Sequence, residues 1–209
     1  VFVWVAAASL VMAVYAFAAA TDGARINLES TADAAVNRLE TRLELHLSLL
    51  RATLALYKTG NGSVSRDALR SFVSALDIKG RYAGIRGLGY VRLLREGGER
   101  AAEDDLARNY GREMQVWPVE GRAQRAVVTL LEPLDDGNRQ VLGFDMMSEP
   151  TRRAAMTRAM ETGQPRVTGS VALIQDEGKP GQPGFLIYLP LVLGVPDTAS
   201  VGQRAAATA

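Results

Sequence analysis

The sequence has no cysteine among its 209 residues. That excludes a disulfide framework, thiolate chemistry and cysteine-held metal clusters, and it suits a periplasmic or a cytoplasmic chain equally. Histidine is almost missing: His46 is the only one. A histidine metal site or a Ser-His pair would have to be built around that single side chain, so metal catalysis is not expected and no cofactor is called for. A dominant charge is missing too, with 24 basic against 23 acidic residues and a net charge of +1. No basic stripe stands out, which argues against nucleic acid as a partner. A phosphate-binding loop is also lacking. Gly84, Gly87 and Gly89 lie in YAGIRGLGYVRLL, but their spacing is not GxGxxG and no Lys-Ser/Thr follows. The length suits one ordinary domain or two small ones.

What is present begins with twenty residues free of charge, VFVWVAAASLVMAVYAFAAA. That is about the length needed to cross a ~30 Å hydrocarbon core, and it predicts a transmembrane anchor over 1–20. A cleaved signal peptide is the alternative, since Ala18 and Ala20 resemble a cleavage site, although a signal core is usually shorter. Residues 25–58 then carry Val36, Leu39, Leu43, His46, Leu50, Thr53 and Tyr57 at steps of three and four. This predicts a long helix, a stalk with a seam for a second copy or for its own domain. His46 falls on the apolar face, where a satisfied seam histidine is the plain reading. After the turn Gly60-Asn61-Gly62-Ser63, Ser65 should cap a second helix with Leu69, Phe72, Val73 and Leu76 inward, ending near Gly80.

Strand-like and helical stretches alternate from there. Tyr82–Leu94 reads as a strand, Glu96–Tyr110 as a charged helix, Gln115–Pro118 as a short strand with an edge proline, and Arg125–Pro133 as another strand. Asp135-Asp136-Gly137-Asn138 is the turn that follows. Gly169–Gln175 and Gly184–Val192 are expected to be strands joined by a Gly/Pro-rich loop.

The chain centres on Val141–Ser170. Val141–Met147 is apolar on both parities, which predicts a strand covered on both faces. Ser148 should cap the next helix, with Pro150 in its first turn and Gly163 as its stop. Ala155, Met156, Ala159 and Met160 form its apolar stripe, and Arg152, Arg153 and Arg158 are expected to face out or pair. Asp145 is the one carboxylate in the apolar run, and burial without a partner would cost several kcal/mol. Two roles remain open for it. It is a structural acid held by helix amides or by Arg152 or Arg153, or it accepts a hydrogen bond from a ligand.

The stretch Leu142-Gly143-Phe144-Asp145-Met146-Met147-Ser148, with the following helix and Thr162-Gly163, resembles the CHASE domain. So do Gly84–Tyr90, Leu131-Glu132-Pro133 with Asn138, and Pro183–Pro190; together these cover about residues 80–192. CHASE domains are extracytoplasmic sensors of histidine kinases and cyclic-dinucleotide enzymes, and include plant cytokinin receptors. The resemblance implies a stalk helix carrying PAS-like subdomains, with a ligand in the membrane-distal one. It assigns ligand contacts to Asp145 and to the backbone at Val167, with Thr168 and Gly184 beside them. It also implies a cytokinin-like or other small organic ligand, a homodimer in the inner membrane with a periplasmic sensor, and a kinase, diguanylate cyclase or phosphodiesterase output beyond this segment. The Ala-, Arg- and Gly-rich composition looks bacterial.

The expectation is therefore an α+β, membrane-anchored chain: a transmembrane helix at 1–20, stalk and second helix at 21–80, a PAS-like antiparallel sensor domain at 81–192, and a truncated continuation of it at 193–209. Two other readings compete with a sensor. An enzyme would pair Asp145 with Glu132 for acid–base work, which requires the acids ~5–9 Å apart; in the plain alternative Glu132 is solvated. A ligand-free, partner-binding ectodomain would need only the heptad-like helix.

Overall fold

A computed structural model describes residues 2–82, 84–119, 123–176 and 184–192, with side chains described at Met12 and from residue 30 onward, except at 79 and 176. The chain divides into two compact units, Val1–Ser48 and Leu49–Ala209.

Helix α1 runs over Phe2–Thr59. The segment expected to span a membrane lies in it, but its side chains fall outside the described residues. Among the described residues, no helix is long and apolar enough to cross a membrane. In the first unit Val36, Leu39 and Leu43 are exposed, Leu39 to 62%. His46 is half-buried, and burial, with Arg42 beside it, lowers its pKa.

In the second unit Ser65 caps α2 (Arg66–Ala75) by accepting from the Ala68 amide, as its sequence position predicts. This helix stops earlier than Gly80, and a one-turn helix α3 (Ile78–Arg81) follows. Strand β1 (Leu88–Arg95), helix α4 (Glu99–Tyr110) and strand β2 (Gln124–Glu132) come next. β1 and β2 pair antiparallel, with a register shift that leaves Thr129 as an extra residue on β2. That bulge reverses the side-chain parity. Ala126 and Val128 before it and Leu131 after it therefore reach one core, with Phe144, Met146, Met147 and Met156. Leu130 joins a separate core with Leu49, Tyr57, Leu69 and Val73. Val127 packs with Leu94, Ala102 and Val116. β2 is buried from Arg125 to Glu132 because both its faces are covered.

Asp135 caps a short helix α5 (Asp136–Arg139) where a turn is expected. The strand expected over Val141–Met147 does not form. Only Phe144 and Asp145 make isolated bridges, to Trp117 and Val127, and Met146–Ser148 is a 3-10 turn. Gly143 sits at φ +78°, and a Cβ there would meet the Gln115 carbonyl oxygen at 2.6 Å. The left-handed bend interrupts the extended run. The apolarity of 141–147 reflects burial among β2 and its neighbours rather than a ladder.

Helix α6 (Pro150–Thr162) is capped by Glu149, one residue after the expected Ser148, and closes on Gly163 at φ +60°. Two-residue strands β3 (Arg166–Val167) and β4 (Ile187–Tyr188) form a second antiparallel sheet. The longer strands expected at Gly169–Gln175 and Gly184–Val192 reduce to β4 and a Val171–Gly184 bridge. Their connecting loop and the 193–209 continuation lie outside the described residues. The described architecture is α+β, two small antiparallel sheets among helices.

Candidate functional site

The residues singled out in the sequence fall in two places. Asp145 is in the first. It is 1% exposed. Its Oδ1 accepts from the Ala126 amide at 2.9 Å and the Met147 amide at 3.0 Å. Its Oδ2 accepts from Arg125 Nε at 3.2 Å. The cation expected here was Arg152 or Arg153; the cation found is Arg125, brought in by β2. Arg125 also donates to Glu99 and to the Pro118 carbonyl. A carboxylate accepts at about four lone-pair sites, and the protein fills three. Asp145 thus fastens the 140–148 turn to β2.

Glu132 lies at the other end of β2. It is 2% exposed rather than solvated, and it accepts from Arg66 Nε at 2.9 Å and the Leu134 amide at 3.0 Å. It stands six residue steps along the strand from Ala126, which Asp145 holds. At ~3.3 Å per residue that is about 20 Å. The two acids are too far apart to act on one bond.

Val167, Thr168 and Gly184 form the second place. Pro165 keeps the chain extended after Gly163, and β3 pairs Arg166 with Tyr188 and Val167 with Ile187. Thr168 continues the ladder through both its groups. Its amide donates to the Leu186 carbonyl at 2.9 Å, and its hydroxyl accepts from the Leu186 amide at 3.0 Å. Gly184 then exchanges two backbone hydrogen bonds with Val171. These three residues share one hairpin-like strip. Val167 is 48% exposed on one face.

The other face carries side chains that the sequence reading passed over. Residues directly opposite in an antiparallel pair project to the same side, so Arg166 and Tyr188 share a face. Tyr188 packs against the core of Phe144, Met146 and Met156. Burial pushes its phenol pKa well up; the Arg152 charge opposes that rise and the Glu149 charge adds to it. The Arg166/Tyr188 face is therefore turned to the start of α6. There Arg152 is 3% exposed. Its guanidinium lies 5.2 Å over the Phe144 ring and donates to the Ala172 carbonyl at 2.8 Å and, weakly, to Met146 Sδ at 3.7 Å. Its Nε is 3.9 Å from Glu149, an ion pair too long for a hydrogen bond. Glu149 is itself engaged by the amides of Thr151 and Arg152, both at 2.8 Å.

Three buried polar atoms in this cluster have no hydrogen-bond partner: Arg152 Nε, Arg166 Nε and Tyr188 Oη. Each such donor costs about 1–3 kcal/mol when nothing meets it. The Arg152 charge acts on Tyr188 and Arg166 stands opposite Tyr188 on the strand pair, so these side chains between α6 and β3–β4 are candidates to hold a small polar molecule. Arg152 was legible after all: it precedes Ala155 and Met156 by three and four residues and so lies on the buried stripe, not beside it. Arg166 and Tyr188 were not, since only the strand register brings them together.

The family profile of the CHASE domain matches residues 62–209. A comparison with curated proteins finds no match. The matched span is well over half of the sequence and contains both places described above, and the chain belongs to the CHASE domain family, a family of extracytoplasmic sensor domains.

Proposed function

We propose that this chain is the ligand-sensing part of a bacterial membrane receptor. It takes up a small molecule between α6 and the β3–β4 sheet, and a helix at its N-terminal end anchors it in the inner membrane with the sensor on the periplasmic side. The observation that carries this reading is the coincidence of two independent lines at one strip. Val167 comes from the family resemblance, with Thr168 and Gly184 beside it, and the unmatched donors Arg152, Arg166 and Tyr188 come from the geometry. Binding there shifts a population between receptor states. Two copies joined along the exposed Val36–Leu39–Leu43 stripe of α1 carry that shift toward an output module. Asp145 serves the site by fixing the turn from which α6 departs. A direct ligand contact at Asp145 would share its carboxylate with Arg125 and two amides.

Thermal melting of the 209-residue chain against adenine derivatives, amino acids and small organic acids tests the reading. A compound that raises the melting temperature in wild type and fails with Thr168→Ala supports it. A panel without any effect on folded protein contradicts it. One observation favours the alternative, a ligand-free ectodomain: the closed partner set of Asp145. That alternative gains ground if Asp145→Ala lowers stability and no compound binds.

A further inference from the structure

We infer that the molecule received at this strip carries a carboxylate, held by Arg152, Arg166 and Tyr188; this rests on the strip being the ligand site. Two of the three unmatched atoms, Arg152 Nε and Arg166 Nε, can only donate, and the third, the Tyr188 hydroxyl, can donate as well as accept. Two are guanidinium N–H groups, which favour an oxyanion over a neutral carbonyl because charge-assisted hydrogen bonds are the stronger ones. Among the described residues, the charges that act on Tyr188 are Arg152 and Glu149, the oxygens of Glu149 are already committed to the α6 amides, and Arg166, opposite Tyr188 on the strand pair, adds a further positive charge. Positive charge and three donors match one carboxylate, with its single charge and four acceptor sites. The apolar surroundings, Phe144, Met146, Met160 and Leu186, suit an organic body attached to that carboxylate.

Tyr188→Phe separates this role from a structural one. The hydroxyl bonds nothing in the protein, so its removal leaves the unliganded fold as stable as wild type or more so. The experiment melts the 209-residue chain, as wild type, Tyr188→Phe and Arg166→Gln, with benzoate, 4-hydroxybenzoate and hexanoate beside their primary amides, with inorganic phosphate, and with adenine. The expected result is a rise of about 5 °C or more in wild type at a hundredfold excess of carboxylate over its Kd, with the amides inert. Affinity falls about ten- to a hundredfold in Arg166→Gln and falls less in Tyr188→Phe, while Tyr188→Phe melts unliganded at or above wild type. Should Arg166→Gln fail to fold, the Tyr188→Phe comparison decides. The inference is overturned if amides act as well as acids, if phosphate alone acts, or if the carboxylate effect is unchanged in Tyr188→Phe and in any folded Arg166→Gln. A shift produced by adenine alone overturns the carboxylate and leaves the sensor reading standing. No shift from any compound removes both.

Discussion

At the scale of residues, one buried ion pair ties the centre of the domain together. Asp145 and Arg125 are both nearly inaccessible, and each has further hydrogen bonds that offset desolvation. Removing one member of such a pair leaves the other buried and unmatched, which costs about 3–5 kcal/mol. Asp145→Ala is expected to lose that much in denaturant unfolding, moderated where Glu99 and Pro118 continue to hold Arg125. A loss under about 1 kcal/mol would mean that the pair does not fasten the turn to β2. The sequence made Asp145 conspicuous as a lone carboxylate in an apolar run, but it concealed the partner. Arg125 stands twenty residues away, and only the pairing of the 140–148 turn with β2 brings the two together.

At the scale of elements, α6 positions the site, and its start depends on Glu149. Burial raises the Glu149 carboxyl pKa, but the Thr151 and Arg152 amides, the Thr151 hydroxyl and the Arg152 charge outweigh it and hold the group below its ordinary 4.5. A carboxyl with a folded pKa below its unfolded one stabilises fully above the unfolded value, and that contribution disappears as pH falls through the folded one. Glu149→Gln is therefore expected to melt below wild type at pH 7, with the gap closing as the pH drops below about 4.5. Melting curves of both proteins across pH 3–7 check this. The Glu149 cap itself was not legible, since Ser148 is the better N-cap by residue type, but Ser65, Gly163 and the α6 stripe stand where their side chains dictate. The strands were less legible. An apolar run can be buried without being extended, as 141–147 is. Strands as short as β3 and β4 give no periodicity to read.

At the scale of the whole molecule, α1 leaves an apolar stripe exposed among the described residues. Val36, Leu39 and Leu43 recur at steps of three and four, the spacing of a two-helix seam. Leu39→Glu with Leu43→Glu is expected to shift sedimentation from dimer toward monomer, with far-UV circular dichroism unchanged. A wild-type chain that is monomeric at high micromolar concentration would exclude the seam. The α+β class was legible because long amphipathic helices and β-rich segments alternate along the chain. The distribution of the core was not, because the Thr129 bulge decides which side of β2 each residue serves.

Reception of a small molecule between α6 and the β3–β4 sheet would order the backbone of that strip. Amide hydrogen exchange of the 209-residue chain, with and without a compound that raises its melting temperature, tests this most directly. Slowed exchange is expected at Thr168, Val171, Gly184 and Leu186, the amides that form this strip, beyond any change in β1 and β2. Protection confined to β1 and β2, with those four amides unchanged, would contradict it.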